Sequence, residues 1–287
     1  MFLVVLVSFV RECRGSRRLP QHTTGRDDMD EPRNIKNSAF KIETPLALPD
    51  DEVQLWRVDL ESIGPDEARW QKVLSPDETS RASRFHFAVD RQLFVASRAL
   101  LRTILAGYLA INPKDLTFSY SKREKPFLGL AYADCGIRFN LSHSGGIALY
   151  AFARRRELGV DVEQVRRDFA VEAIARRFFS AHEQEQLADL PAAEKIDAFF
   201  RCWTRKEAYI KATGDGLSLP LTQFDVSLAE GNTDALVTTR PDTAEAKRWL
   251  LCEIPAGTGY VAALCVRGQD WKLNDWSAVS ARVRKLD

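Results

Sequence analysis

Two stretches of the chain set charged side chains among apolar ones: GVDVE at Gly159 to Glu163, and WTRKEAYIK at Trp203 to Lys211. In an extended strand side chains alternate faces, so Asp161 and Glu163 point the same way while Val160 and Val162 point the other. Their α-carbons then lie roughly 6 to 7 Å apart, a spacing from which two carboxylates reach one hard cation such as magnesium. In the second stretch Phe200, Trp203, Glu207 and Ile210 fall at helical intervals, which puts Glu207 inside an apolar stripe. A carboxylate there needs a cationic partner. Together the stretches look like a site for a metal and a phosphate.

Each stretch also has an ordinary reading. Alternating charge is common on a half-exposed strand. Glu207 and Lys211 stand in the favourable i, i+4 order, which as a helix-surface pair contributes only ~0.2 to 0.5 kcal/mol. A surface pair, however, leaves unexplained why Glu207 shares its stripe with Phe200, Trp203 and Ile210.

The elements that must carry these residues are legible in outline. PLALPDDEVQLWRVDL, after Ile42, reads as an extended run with alternation around Val53, Leu55 and Val58. Ser75-Pro76-Asp77-Glu78 is a capping box at a helix start, and Ser180 to Glu183 repeats it. The same offset pairs Phe94 with Phe199 and Leu116-Thr117 with Leu221-Thr222, which hints at a duplication. IRFNLSHSGGIALYAFA in the first half then answers WLLCEIPAGTGYVAALCV in the second, as strand pairs around glycine turns. The expected fold is α+β, a pseudo-dimer of two similar halves, each a small antiparallel sheet with a packed long helix. The expected units are an extension over 1–41, a first half over 42–158 and a second half over 159–287. Asp161, Glu163 and Glu207 would then gather where the halves meet, a usual place for a ligand cleft.

The 287 residues include 45% hydrophobic and 28% charged side chains, an ordinary globular balance with room for a sizeable core. A net charge of +1 supplies no basic field for nucleic acid or an anionic membrane. Five cysteines, scattered without metal spacing and odd in number, suggest neither zinc nor a disulfide framework. A reducing, cytoplasmic compartment is the default. The apolar run Phe2 to Val10 is too short to span a membrane and lacks the basic residues that precede a secretory segment. Arg11 to Ser38 is polar and charged, with little to bury, and reads as a disordered extension.

Other polar residues could grip phosphate. Ser142-His143-Ser144-Gly145-Gly146 reads as a tight turn whose hydroxyls, amides and imidazole could hold an anion, or simply as a serine and glycine turn with an exposed histidine. Lys125, in a basic run before Pro126, is either a solvated turn residue or a rigidly placed anchor. Arg81 and Arg84 add charge on the first capped helix. No phosphate-binding P-loop, dinucleotide fingerprint, zinc HExxH or nucleophile elbow is present.

Taken in order and spacing, FNLSHSG at Phe139 to Gly145, GVDVE at Gly159 to Glu163, and FFS before WTRKEAYIKATGDGLSLPL at Trp203 to Leu221 resemble the 4'-phosphopantetheinyl transferases of the surfactin-synthetase-activating type. The similarity runs from about Leu74 to Val266, and the first 45 residues have no counterpart in it. The resemblance implies a pseudo-dimer that binds coenzyme A and magnesium between its halves and passes phosphopantetheine to a serine of an apo acyl or peptidyl carrier protein. The expected state is a monomer, and the near-neutral charge implies no nucleic acid or membrane partner. By position, Asp161, Glu163 and Glu207 match metal-binding carboxylates, with Glu207 also able to accept the serine proton, and Lys211 matches a lysine acting near the phosphates. Lys125, Ser142 and His143 match positions that hold the nucleotide end of coenzyme A, and Arg81 falls near a basic position on the first helix. A further basic position of the family meets Leu93 here, with Arg91 two residues earlier.

Two other functions use the same residues. A magnesium-dependent phosphodiester or pyrophosphate hydrolase would offer water the place of serine. A noncatalytic carrier-binding scaffold would keep the charges as structural ion pairs.

Overall fold

The computed structural model describes residues 45–60, 67–122, 125–168, 170–214, 216–231 and 234–275. The extension expected over 1–41 lies outside these residues. In chain order the elements are β1 (Glu52–Asp59), α1 (Glu67–Gln71), α2 (Pro76–Ala82), α3 (Ala88–Leu109), β2 (Phe118–Tyr120), β3 (Pro126–Leu128), β4 (Ile137–Ser144), β5 (Ile147–Arg154) and β6 (Leu158–Gln164). There follow α4 (Val171–Phe178), α5 (Ala181–Asp189), α6 (Ala192–Thr213), β7 (Phe224–Val226), β8 (Leu236–Thr239), β9 (Trp249–Glu253), β10 (Tyr260–Arg267) and β11 (Lys272–Asp275).

These strands make a mixed α+β fold of small sheets. One sheet has the order β11-β1-β5-β4 and another the order β6-β10-β9; β2–β3 and β7–β8 are separate two-stranded pairs. Among the described residues all the pairings are antiparallel except one. Strand β11 runs parallel to β1, with Glu52 opposite Lys272, so the chain's last described strand joins the first sheet. The expectation of purely antiparallel sheets is corrected there, because a four-residue pairing between distant segments leaves no local pattern.

Strand β1 is buried on both faces, not alternately exposed. It lies inside its sheet, and Trp56 and Val58 pack against Leu100, Ile104 and Leu105 of α3 while Val53 and Leu55 face a second core with Val160, Val162 and Leu264. The first core fills the space between α3 and its sheet. The second fills the space between the two sheets, with α6 on the far side against β6 and β10. Burial on this scale makes apolar packing the main stabilising term.

The two capping boxes form as local sequence requires. The Ser75 amide donates to Glu78 Oε2 at 3.0 Å, and the Ser180 amide donates to Glu183 Oε2 at 2.9 Å. Both glutamates are buried, and each meets a cation on the following 22-residue helix, α3 or α6. Glu78 Oε2 pairs with Arg102 Nε at 2.6 Å, and Arg102 Nη1 donates to the Leu116 carbonyl at 2.8 Å. Glu183 Oε1 pairs with Lys206 Nζ at 2.8 Å, and Lys206 donates to the Leu221 carbonyl at 2.7 Å. Each pair thus ties a capped helix, a long helix and the segment that follows it. A buried charge needs such a partner set, since desolvation otherwise outweighs the attraction.

Candidate active site

The site rests on the contact between β6 and α6. Gly159 makes that contact possible: a Cβ there would fall 2.2 Å from the Ala208 carbonyl oxygen and 2.4 Å from the Ala212 nitrogen, both on α6. Residues 161 and 163 share the face of Gly159, so the close approach presents Asp161 and Glu163 to the helix turns that carry Glu207 and Lys211. From Ala198 to Ile210 every residue of the helix but the half-buried Arg201 is buried, Arg205 and Lys206 included. The stripe of Phe200, Trp203, Glu207 and Ile210 is buried as its spacing implies, and α4, α5 and β7 also pack on the helix beside the β6–β10 sheet.

Lys211 and Glu207 do not form the i, i+4 surface pair. Lys211 Nζ reaches across to Asp161 Oδ1 at 2.6 Å, and donates to Ser142 Oγ at 3.0 Å and to the Val160 carbonyl at 3.2 Å. Ser142 Oγ in turn donates to Asp161 Oδ1 at 2.8 Å. On the same strand Ser144 Oγ donates to Glu163 Oε2 at 2.9 Å. Both oxygens of Glu207 and Oδ2 of Asp161 are buried without a hydrogen-bond partner.

The serines occupy strand positions, which corrects the reading of SHSGG as a turn. The reversal needs only Gly145 and Gly146, whose φ values of 53° and 91° suit the two-residue hairpin. Strand β4 therefore runs through to Ser144, and Asn140, Ser142 and Ser144 share one face. Asn140 is the site residue that sequence reading missed, and Ser144 was read only as a turn hydroxyl; extending the alternation up to the glycine pair would have put both on the strand face.

Three carboxyl groups gather here around one ammonium. Burial, ahead of the Asp161 charge, raises the Glu163 pKa to about 8 and holds that of Glu207 well above the usual range. Burial also raises Asp161, in spite of Lys211 and Ser142. Burial alone would lower Lys211, yet Asp161 and Glu207 hold its pKa above the ordinary lysine value. Among the described residues no group of three or more carboxylate, imidazole or thiol side chains stands in coordinating geometry. What the region offers is hard carboxylate oxygen, three atoms of it without a partner, beside a lysine already bound to Asp161. That donor chemistry fits magnesium or another hard cation and excludes a soft one.

The remaining expected residues lie around this cluster. Lys125 Nζ donates to the Lys211 carbonyl at the end of α6, and burial lowers its pKa. His143 projects from the opposite face of β4 to Ser142 and is solvent-exposed. Arg81 ends α2, with its guanidinium over the Phe94 ring at 5.8 Å and its charge acting on Tyr120. The structure joins Ser142, Asp161, Lys211 and Lys125 through direct bonds, and sets Glu207 beside them.

Comparison with known proteins covers both halves of the chain. Residues 157–265 match the model of the 4'-phosphopantetheinyl transferase superfamily, and residues 64–154 match that of the 4'-phosphopantetheinyl transferase N-terminal region. The 4'-phosphopantetheinyl transferase HetI of Nostoc sp. is 41% identical over 231 residues, which span 80% of this chain and 94% of that protein. The 4'-phosphopantetheinyl transferase Sfp of Bacillus subtilis is 33% identical over 161 residues, 56% of this chain and 69% of its own length. An L-aminoadipate-semialdehyde dehydrogenase-phosphopantetheinyl transferase of Xenopus laevis is 30% identical over 185 residues, 60% of this chain and 61% of its own. These relatives are named as transferases, which leaves the hydrolase and scaffold readings without support. With two family models meeting between β5 and β6, where the buried carboxylates begin, the chain belongs to the 4'-phosphopantetheinyl transferase superfamily and is an enzyme of that kind.

Proposed function

We propose that the chain transfers 4'-phosphopantetheine from coenzyme A to a serine hydroxyl of an apo acyl or peptidyl carrier protein, at the carboxylate and lysine cluster where β4, β6 and α6 meet. The observation that carries this assignment of residues is the set of unpartnered buried oxygens on Asp161 and Glu207 beside the Lys211 ammonium. Asp161, Glu207 and Glu163 would hold magnesium, which when bound offsets the negative charge of the pyrophosphate and of the leaving nucleotide. Lys211 donates to oxygens of the phosphoryl group under transfer, a role its raised pKa suits because it stays charged. Glu207, beside the attacked phosphate, accepts the proton of the attacking serine. The serine oxygen bonds to phosphorus as the pyrophosphate P–O bond breaks, and 3',5'-ADP leaves. Ser142, Lys125, His143 and Arg81 hold the nucleotide end; an incoming phosphate would compete with the Lys211 carbonyl for the Lys125 ammonium.

The fold proposed for this chemistry is a pseudo-dimer of residues 42–158 and 159–287. It is supported by the paired capped helices, the equal lengths of α3 and α6, and the matching buried ion pairs Glu78–Arg102 and Glu183–Lys206. The enzyme is read as a cytoplasmic monomer. Free cysteines at 135, 202, 252 and 265 agree with a reducing compartment, and among the described residues no helix is long and apolar enough to cross a membrane.

The test supplies coenzyme A, magnesium and an apo-carrier, and follows both products by mass spectrometry and nucleotide chromatography. One phosphopantetheine should be added to the carrier for each 3',5'-ADP released, and changing the carrier serine to alanine should stop both. Nucleotide release that continues with the alanine carrier would make water the acceptor and overturn the assignment.

A further inference from the structure

Strands β4 and β6 are edge strands of different sheets, and each would leave a row of backbone groups open. They meet through side chains instead of a ladder. Asn140 Oδ1 accepts the Val160 amide at 2.9 Å, and Ser144 Oγ accepts the Gln164 amide at 3.2 Å. These two contacts bracket Asp161 and Glu163 on β6. The turn beyond Ser144 is itself fixed, since the Leu60 amide donates to the Gly146 carbonyl at 2.8 Å and the Tyr260 hydroxyl donates to the Gly145 carbonyl.

The direction of the Ser144 bond follows from its partners. A backbone amide can only donate, so the contact with Gln164 leaves the single hydroxyl proton of Ser144 to Glu163 Oε2. Ser142 is constrained in the same way, by the Lys211 ammonium on one side and Asp161 on the other. The two differ in one respect: Ser142 touches Lys211, whereas among the described residues Ser144 Oγ bonds to Glu163 and Gln164 of β6. Ser144 is buried and well placed to hold Glu163 in one orientation.

We propose that Ser144 is a positioning residue, which aims the Glu163 carboxylate for a divalent cation by donating to one of its oxygens while Gln164 locks the serine's own orientation. This rests on the reading of Asp161, Glu163 and Glu207 as cation ligands. Partners that orient a ligating carboxylate are worth about 10- to 100-fold in metal affinity when removed. The Ser144 hydroxyl is taken up by Glu163 and Gln164, so its loss should act on the cation and on turnover, not on cofactor affinity.

The experiment titrates Mn2+, a spectroscopic stand-in for Mg2+, into the full chain and into its Ser144→Ala, Ser144→Thr and Ser144→Cys variants without substrate. Ser144→Ala should bind Mn2+ about tenfold or more weakly, with kcat reduced at limiting metal and KM for coenzyme A held within about twofold. Ser144→Thr, which keeps the hydroxyl, should restore binding to within about threefold. Ser144→Cys, close in shape but a weak donor, should follow alanine and serves should alanine fail to fold. Equal Mn2+ affinity in wild type and the Cys or Ala variant would overturn the positioning role and leave the cation reading intact. Absence of Mn2+ binding by the wild type would overturn both.

Discussion

Replacing Glu207 by glutamine should make the metal-free protein more stable while disabling it. Both carboxylate oxygens of Glu207 are buried without a hydrogen-bond partner, and the charges that act on it include Asp161 and Glu163, of its own sign, with Lys211 opposing them. An unsatisfied buried polar atom costs about 1–3 kcal/mol, and more when charged. Glutamine keeps the shape, removes the charge and brings an amide donor toward carboxylates, though one oxygen stays unpaired and some attraction to Lys211 is lost. The net gain should be about 1–3 kcal/mol, or roughly 2–10 °C in Tm for a domain of this size. The pH dependence has a definite sign. The folded pKa of Glu207 is raised from its ordinary value of 4.5, so wild-type stability is fully present below that value and falls as pH rises through the folded pKa. The advantage of Glu207→Gln should therefore be near zero around pH 4.5 and open toward alkaline pH. Transfer activity should drop at least 10²-fold at any pH. Thermal unfolding across pH with chelator present, followed by an activity assay with magnesium, checks both. A variant that is less stable than wild type at pH 8, or that works within tenfold of it, would sink the argument.

Three further outcomes follow from packing and charge. Gly159→Ala should cost at least about 2 kcal/mol and reduce transfer, because its Cβ meets helix backbone that has no flexible end to move; an unchanged Tm would show that α6 can retreat freely. Lys206→Met should destabilise by about 3–5 kcal/mol, since Glu183 would be left buried without its cation, and a loss under 1 kcal/mol in denaturant titration would contradict that accounting. Lys125→Ala and His143→Ala should each weaken use of coenzyme A by roughly 1.5–3 kcal/mol but barely affect dephospho-coenzyme A. Equal losses with both cofactors, measured as kcat/KM, would move these residues away from the 3'-phosphate.

What the sequence disclosed and what it hid divide by range. The capping boxes at Ser75 and Ser180 were legible because their bonds close within three residues, and the β4–β5 hairpin because two glycines mark it. Glu207 stood out because its apolar neighbours recur at helical intervals. Its relation to Lys211 was hidden, since i, i+4 spacing suggests a mutual pair whereas the fold offers Lys211 the nearer Asp161 from another strand. Lys206, in the polar-looking run TRKEA, carried no sign of the Glu183 that buries with it. Ser144 was obscured by counting its strand as turn, and β11 by the distance of its partner.

That distance bears on how the protein is made. Strand β1 needs β11 beside it, and roughly 220 residues separate the paired positions Glu52 and Lys272. On a ribosome adding about 5–20 residues per second, the first sheet can gain its outer strand only after a further ten seconds or more of elongation. Until then the β1 edge carries unpaired amides and carbonyls, the kind of surface that recruits strands from other chains. Non-local closure of this sort also slows folding after release. Shortening the chain before Lys272 would leave the carboxylates of β6 and the helix behind them in the sequence, yet expose an edge one hundred residues upstream of that site, and the cost would appear as aggregation during synthesis more than as a defect in chemistry.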